Sequence, residues 1–80
     1  LAQQCAVCKG MVKDATGEPI IGASVSVKGT KNATVTDLDG NFTLTGVNKG
    51  TTIVISYIGF VNSEIKWDGK NIDVTLAEDS

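Results

Sequence analysis

Polar and apolar residues change places at every second position through much of this chain. Val25-Ser26-Val27-Lys28, Asn41-Phe42-Thr43-Leu44-Thr45 and Ile72-Asp73-Val74-Thr75-Leu76 all alternate. A period of two sets one row of side chains against a core and the other in water, the pattern of an antiparallel sandwich or barrel. Thr52-Ile53-Val54-Ile55-Ser56-Tyr57-Ile58 is apolar on both faces and reads as a central strand. Val61-Asn62-Ser63-Glu64-Ile65-Lys66-Trp67 reads as a more solvated neighbour, with Val61, Ser63, Ile65 and Trp67 on one face. No window spaces apolar residues at helical intervals between a cap and a closing glycine.

Turn residues punctuate these runs. Asp14-Ala15-Thr16-Gly17-Glu18-Pro19, Asp39-Gly40, Asn48-Lys49-Gly50 and Asp68-Gly69-Lys70 each supply residues that tolerate positive φ. Asp39-Gly40 and Asp68-Gly69 are the strongest hairpin signals. Pro19 sits just ahead of a strand, where its missing N–H costs little. Strands are expected near 6–13, 22–29, 33–37, 41–45, 52–58, 60–67 and 71–77. The expected fold is all-β: an antiparallel Greek-key sandwich of about seven strands, immunoglobulin-like or transthyretin-like. There is no internal repeat, low-complexity stretch or linker, so a single domain is expected.

Length and charge narrow the picture. Eighty residues lie near the lower end of what folds on a hydrophobic core alone. A net charge of -2 gives no electrostatic reason to bind nucleic acid or an anionic membrane. No run approaches the roughly 18 apolar residues of a membrane helix, so no direct membrane insertion is expected. Leu1-Ala2-Gln3-Gln4 reads as the end of an export signal or its immediate wake, and the chain as a piece of something longer.

Candidate chemistry is sparse. With no histidine, a serine or cysteine nucleophile lacks its commonest base, and Ser56 is not in a nucleophile elbow. Asp14, Asp37 and Asp39 fall in turns, where carboxylates usually serve local backbone hydrogen bonds. Gly17, Gly22, Gly29 and Gly40 are scattered through turns and build no phosphate cradle. No catalysis and no cofactor are expected. Cys5-Ala6-Val7-Cys8 has the spacing of a redox pair but no helix to lower a thiol pKa. In an extended strand the two lie about 10 Å apart, beyond the roughly 7 Å limit for a disulfide. They supply half a zinc site, which two chains would have to share. The favoured reading is a flexible N-terminal segment or frayed first strand over residues 1–9, with exposed or intermolecularly paired thiols. Asp37-Leu38-Asp39-Gly40-Asn41 begins like a calcium loop, but Gly46 stands where an EF-hand needs a bidentate glutamate. A turn explains the same residues, and a structural cation shared with another loop stays open. Trp67 and Tyr57 are candidates for a sugar-stacking platform, against the alternative that Trp67 closes the end of the core.

Three ordered motifs carry a family resemblance. Gly10-Met11-Val12-Lys13-Asp14-Ala15-Thr16-Gly17-Glu18-Pro19-Ile20-Ile21-Gly22-Ala23-Ser24-Val25-Ser26-Val27-Lys28-Gly29-Thr30 opens the match. Thr34-Val35-Thr36-Asp37-Leu38-Asp39-Gly40-Asn41-Phe42-Thr43-Leu44 and Ile55-Ser56-Tyr57-Ile58-Gly59-Phe60 follow. Together they resemble carboxypeptidase-regulatory-like domains from Gly10 to Leu76, and more narrowly the version at the N-terminus of SusC-like TonB-dependent outer-membrane receptors. Two departures stand out: Ala33 where the family usually has glycine, and Cys5-Ala6-Val7-Cys8-Lys9 ahead of Gly10.

The resemblance implies a non-catalytic periplasmic accessory domain over 10–77, with 78–80 starting a linker toward a TonB box. Its partners would be the plug and barrel of its own receptor, with TonB or another periplasmic protein as a further candidate. The cargo implied is a nutrient, a glycan first. The interaction edges to examine are the strands carrying Val35 and carrying Ile72 and Val74, because an unpaired strand edge can accept an extended segment. A carbohydrate-binding module of a surface enzyme or adhesin is the alternative, and a passive spacer the third reading.

Overall fold

The computed structural model describes residues 6–79. Seven strands run in order: β1 Ala6–Lys13, β2 Ser24–Val27, β3 Ala33–Val35, β4 Asn41–Val47, β5 Thr52–Ser56, β6 Ser63–Lys66 and β7 Ile72–Thr75. They form a three-stranded sheet in the order β4-β1-β7 and a four-stranded sheet in the order β3-β2-β5-β6. The two sheets pack face to face, as the alternating pattern requires. Cys8, Val12, Phe42, Leu44, Ile72 and Val74 come from one sheet and Val25, Val27, Ile53 and Ile55 from the other, all in one buried cluster. Each such side chain contributes about 1.5–3 kcal/mol of burial, so the core rests on these two rows.

Most pairs are antiparallel, but β1 and β7 run parallel, from Gly10 opposite Ile72 to Lys13 opposite Thr75. Only two links join neighbours within a sheet, β2 to β3 and β5 to β6. Asp39-Gly40 and Asp68-Gly69 do form turns, yet neither closes a hairpin: each hands the chain from the four-stranded sheet to the other. The local bond from the Gly40 N–H to the Asp37 carbonyl, 3.0 Å, is the same in either case, so turn chemistry alone does not distinguish them.

β1 occupies residues 6–13 as expected, and it corrects the reading of its cysteines. Cys8 is fully buried opposite Leu44 rather than frayed and exposed, because its side chain falls on the inward parity of β1. Cys5 lies outside the described residues. At the other end, Phe60 bridges Glu78 and the Asp79 N–H bonds the Gly59 carbonyl at 2.9 Å. The sandwich thus takes in part of the stretch expected to begin a linker. Ala33 opens β3 at negative φ, so the missing glycine causes no strain there.

β4 runs two residues beyond the expected 41–45. Val47 faces Ala6 and Leu44 faces Cys8, so β4 holds one extra residue against β1. Gly46, at φ 69°, absorbs this bulge, and the slip turns Val47 into the core at 1% exposure.

Gly10, in the middle of β1, has a different reason to be glycine. A Cβ there would lie 2.5 Å from the Ile72 carbonyl oxygen and 2.7 Å from the Phe42 ring, which covers it. Gly10→Ala is expected to lower stability by about 1–3 kcal/mol, the usual cost of overpacking, as read by urea denaturation. An unchanged midpoint would show that Phe42 and β7 move aside freely.

Candidate interaction surfaces

Trp67 follows β6, and its N–H donates to the Thr51 carbonyl at 2.9 Å. The indole Nε1–H donates to the Lys70 carbonyl at 2.8 Å, and only 2% of the residue is exposed. The ring faces are spent on the core, so Trp67 offers no platform for a sugar. Tyr57 lies six positions beyond Thr51, about 20 Å along an extended strand, and tilts against Phe60 with ring centroids 5.9 Å apart. The two aromatics stand at opposite ends of the sheet, which corrects the sugar-stacking reading.

The proposed edges fall on true sheet margins. β3 borders the four-stranded sheet, and Val35 on it is 62% exposed. β7 borders the other, but Ile72 and Val74 point into the core at 7% and 9% exposure. What β7 presents at this margin is therefore its backbone and not those side chains. Between β6 and β7 the sheets part around a cleft of about 380 Å³, with Ile65, Trp67, Ile72 and Val74 among its lining. The opposite margin is pinned, since Asn32 Nδ2 donates to the Thr45 carbonyl of β4 at 2.7 Å.

Asp37 Oδ1 accepts the N–H groups of Asp39 and Asn41, each at 2.9 Å. Asp14 does the same two and four residues on, accepting from Thr16 at 2.9 Å and Glu18 at 3.1 Å. In both turns the glycine N–H returns to the aspartate carbonyl. The chain uses one five-residue turn twice, aspartate first and glycine fourth. The bond from the Thr16 hydroxyl, then those from backbone N–H groups, hold the Asp14 carboxyl below its usual value of 3.8. Burial acts on Cys8 in the other sense, raising its pKa and keeping the thiol protonated.

Sequence reasoning missed Thr36, because the alternation Ala33-Thr34-Val35-Thr36 points the apolar Val35 inward whereas the structure turns Val35 out and Thr36 in. It is buried at 3% exposure. Its Oγ1 accepts the Ala23 N–H at 2.8 Å and its hydroxyl donates to the Ile20 carbonyl at 2.6 Å. It also missed Ile58, assigned to a central strand but 90% exposed beyond the end of β5.

Comparison with known proteins adds a lineage to this geometry. A family model described as CarboxypepD_reg-like domain matches residues 8–80. The TonB-dependent receptor SusC of Bacteroides thetaiotaomicron is 56% identical over 64 residues, covering 80% of this chain and 6% of that protein. The TonB-dependent receptor P39 of Formosa agariphila is 43% identical over 68 residues, 84% of this chain and 7% of that protein. The chain thus spans less than a tenth of the length of these relatives. Among solved structures, one chain of a type II cohesin–X-dockerin complex, a C-terminal interface mutant from Acetivibrio cellulolyticus, superposes with a TM-score of 0.64. It is 26% identical, and the match covers 89% of this chain and 51% of that one.

Two outcomes are expected. Trp67 should fluoresce as a buried indole, be quenched poorly by iodide and ignore added oligosaccharides, while Trp67→Ala should cost about 3–5 kcal/mol. An emission that shifts with sugar would return the ring to the surface. For Asp14, the lowered folded pKa means stability that is present above the unfolded value and lost as pH falls through the folded one. Asp14→Asn should therefore be less stable than the wild type at pH 5, with the gap closing as urea midpoints are measured below about pH 4.

Proposed function

This chain belongs to the CarboxypepD_reg-like domain family, and on that premise we propose that it is the periplasmic N-terminal accessory domain of a SusC-like TonB-dependent outer-membrane receptor. The 56% identity to such a receptor over 80% of the chain carries the proposal. By this reading the plug and barrel of the parent protein bind and move a nutrient, a glycan first among the candidates. The sandwich performs no chemistry. It links the plug region to the periplasmic side, where TonB or another periplasmic protein is met.

The geometry supports a docking role in two ways. β3 and β7 each leave one margin unpaired, and an unpaired margin accepts an extended segment through its backbone N–H and C=O groups. The last described residues are also bound to the body of the sandwich by the bonds to Gly59 and Val61, so the exit of the chain has a fixed starting direction. The linker toward a TonB box begins, in this proposal, after Asp79.

The test is removal of the domain from the parent receptor in its own host. Nutrient uptake should fall several-fold while the amount of receptor in the outer membrane stays level. Uptake indifferent to the deletion would sink the accessory role and leave a spacer.

A further inference from the structure

The connection from β5 to β6 exposes Ile58 almost completely. A polar residue would serve such a turn equally well, so the isoleucine adds nothing to the core and leaves its apolar area in water. It does not stand alone. Ile21 is 50% exposed, Val35 62% and Val61 51%, with Tyr57 at 36%. Strand pairing gathers the first two with Ile58: Ser24 of β2 faces Val35 on one side and Ser56 of β5 on the other. Ile21, Val35 and Ile58 therefore end three adjacent strands at one end of the four-stranded sheet. At this end Ile58 also borders a shallow cleft of about 520 Å³, lined with it by Gly22, Ser24, Ser56, Tyr57 and Asn62. An apolar rim around a floor of small residues is the form of a binding surface rather than of scattered exposure.

The course of the chain says what covers it. The Val61 N–H bonds the Ala77 carbonyl at 2.8 Å, Phe60 bridges Glu78, and the Asp79 N–H bonds the Gly59 carbonyl at 2.9 Å. The described chain therefore ends beside the turn that carries Ile58 and Gly59. The relatives keep more than nine-tenths of their length outside the matching region. Polypeptide that leaves from beside Gly59 starts next to Ile58, at the border of the patch.

We infer that Ile58, Tyr57, Val35 and Ile21 dock the first stretch of polypeptide that follows Ser80 in the parent receptor, an inference that rests on the receptor reading above. The segment starts beside the Ile58–Gly59 turn and seats apolar side chains on the rim and in the cleft. The backbone bonds at Gly59 and Val61 fix where it starts, and the apolar contacts give it affinity. The domain is then held at a set orientation to the plug instead of swinging on a free tether.

Cysteine accessibility tests this. Ile58→Cys is compared with Lys49→Cys, an exposed control in the turn between β4 and β5. Both carry Cys5→Ser, and the buried Cys8 stays silent. In the 80-residue chain the two positions should react with a polyethylene-glycol maleimide at equal rates. In the parent receptor, stripped of other reactive thiols, position 58 should react at least ten-fold more slowly than position 49. Val35→Cys should show the same contrast from the neighbouring strand. Equal rates at 58 and 49 in the receptor would overturn the inference while leaving the accessory role intact. Protection that appears only on adding the periplasmic domain of TonB would overturn it in favour of a second protein. Uptake that survives deletion of the domain would remove the accessory role and leave the labelling contrast standing.

Discussion

Two β-sheets packed face to face share no strand ladder, so something other than apolar contact must set how they sit on each other. In this domain a line of hydrogen bonds does so at one end of the sandwich. The Val12 N–H in the central strand of one sheet bonds the Gly40 carbonyl at 2.8 Å, and the Val12 carbonyl accepts the Ile20 N–H at 3.0 Å. The Ile20 carbonyl accepts the Thr36 hydroxyl, whose oxygen accepts the Ala23 N–H at the entry to the other sheet. Every member is buried or backed by backbone, and a broken link would leave a polar group unpaired at a cost of about 1–3 kcal/mol. Gly40 sits so close that a Cβ would meet the Val12 oxygen at 2.6 Å and the Pro19 Cβ at 2.9 Å. The two matching aspartate turns flank this line and shape the loops that carry Gly40 and Pro19 to Val12.

Local features of the chain were readable and long-range ones were not. β1 lies where a first strand is expected, and the inward residues of β2, β4 and β7 are those the period of two selects. The end of β4 escaped because its alternation breaks at Thr45-Gly46, where a bulge carries the pattern on by one extra residue. The same limit explains the hairpins. An aspartate–glycine pair announces a reversal of direction, but whether the returning strand pairs with its predecessor depends on which sheet has a vacancy. Here β4 and β7 complete the sheet of β1, while the connections that close hairpins hold no such pair.

The candidate surface was readable in a similar measure. The family resemblance identified the right relatives, and its third motif, Ser56-Tyr57-Ile58-Gly59-Phe60, contains the exposed apolar tip. Hydropathy alone hides that tip, since an isoleucine following Ile53 and Ile55 looks like more core. Only the end of β5 at Ser56 separates the two kinds. For Trp67 the core reading holds over the surface one: its indole N–H closes onto Lys70 and the ring fills the end of the core.

The parallel pairing of the first and last strands has a mechanical meaning. Ala6 and Leu76 lie toward opposite ends of two strands that run the same way, so tension applied through the chain pulls β1 and β7 lengthwise past each other. The register positions from Gly10–Ile72 to Lys13–Thr75 then bear the load together, instead of parting one at a time as in a peeled hairpin. The Lys13–Asp73 ion pair lies across the same seam. Built this way, the sandwich transmits a pull along its length and resists being opened by it.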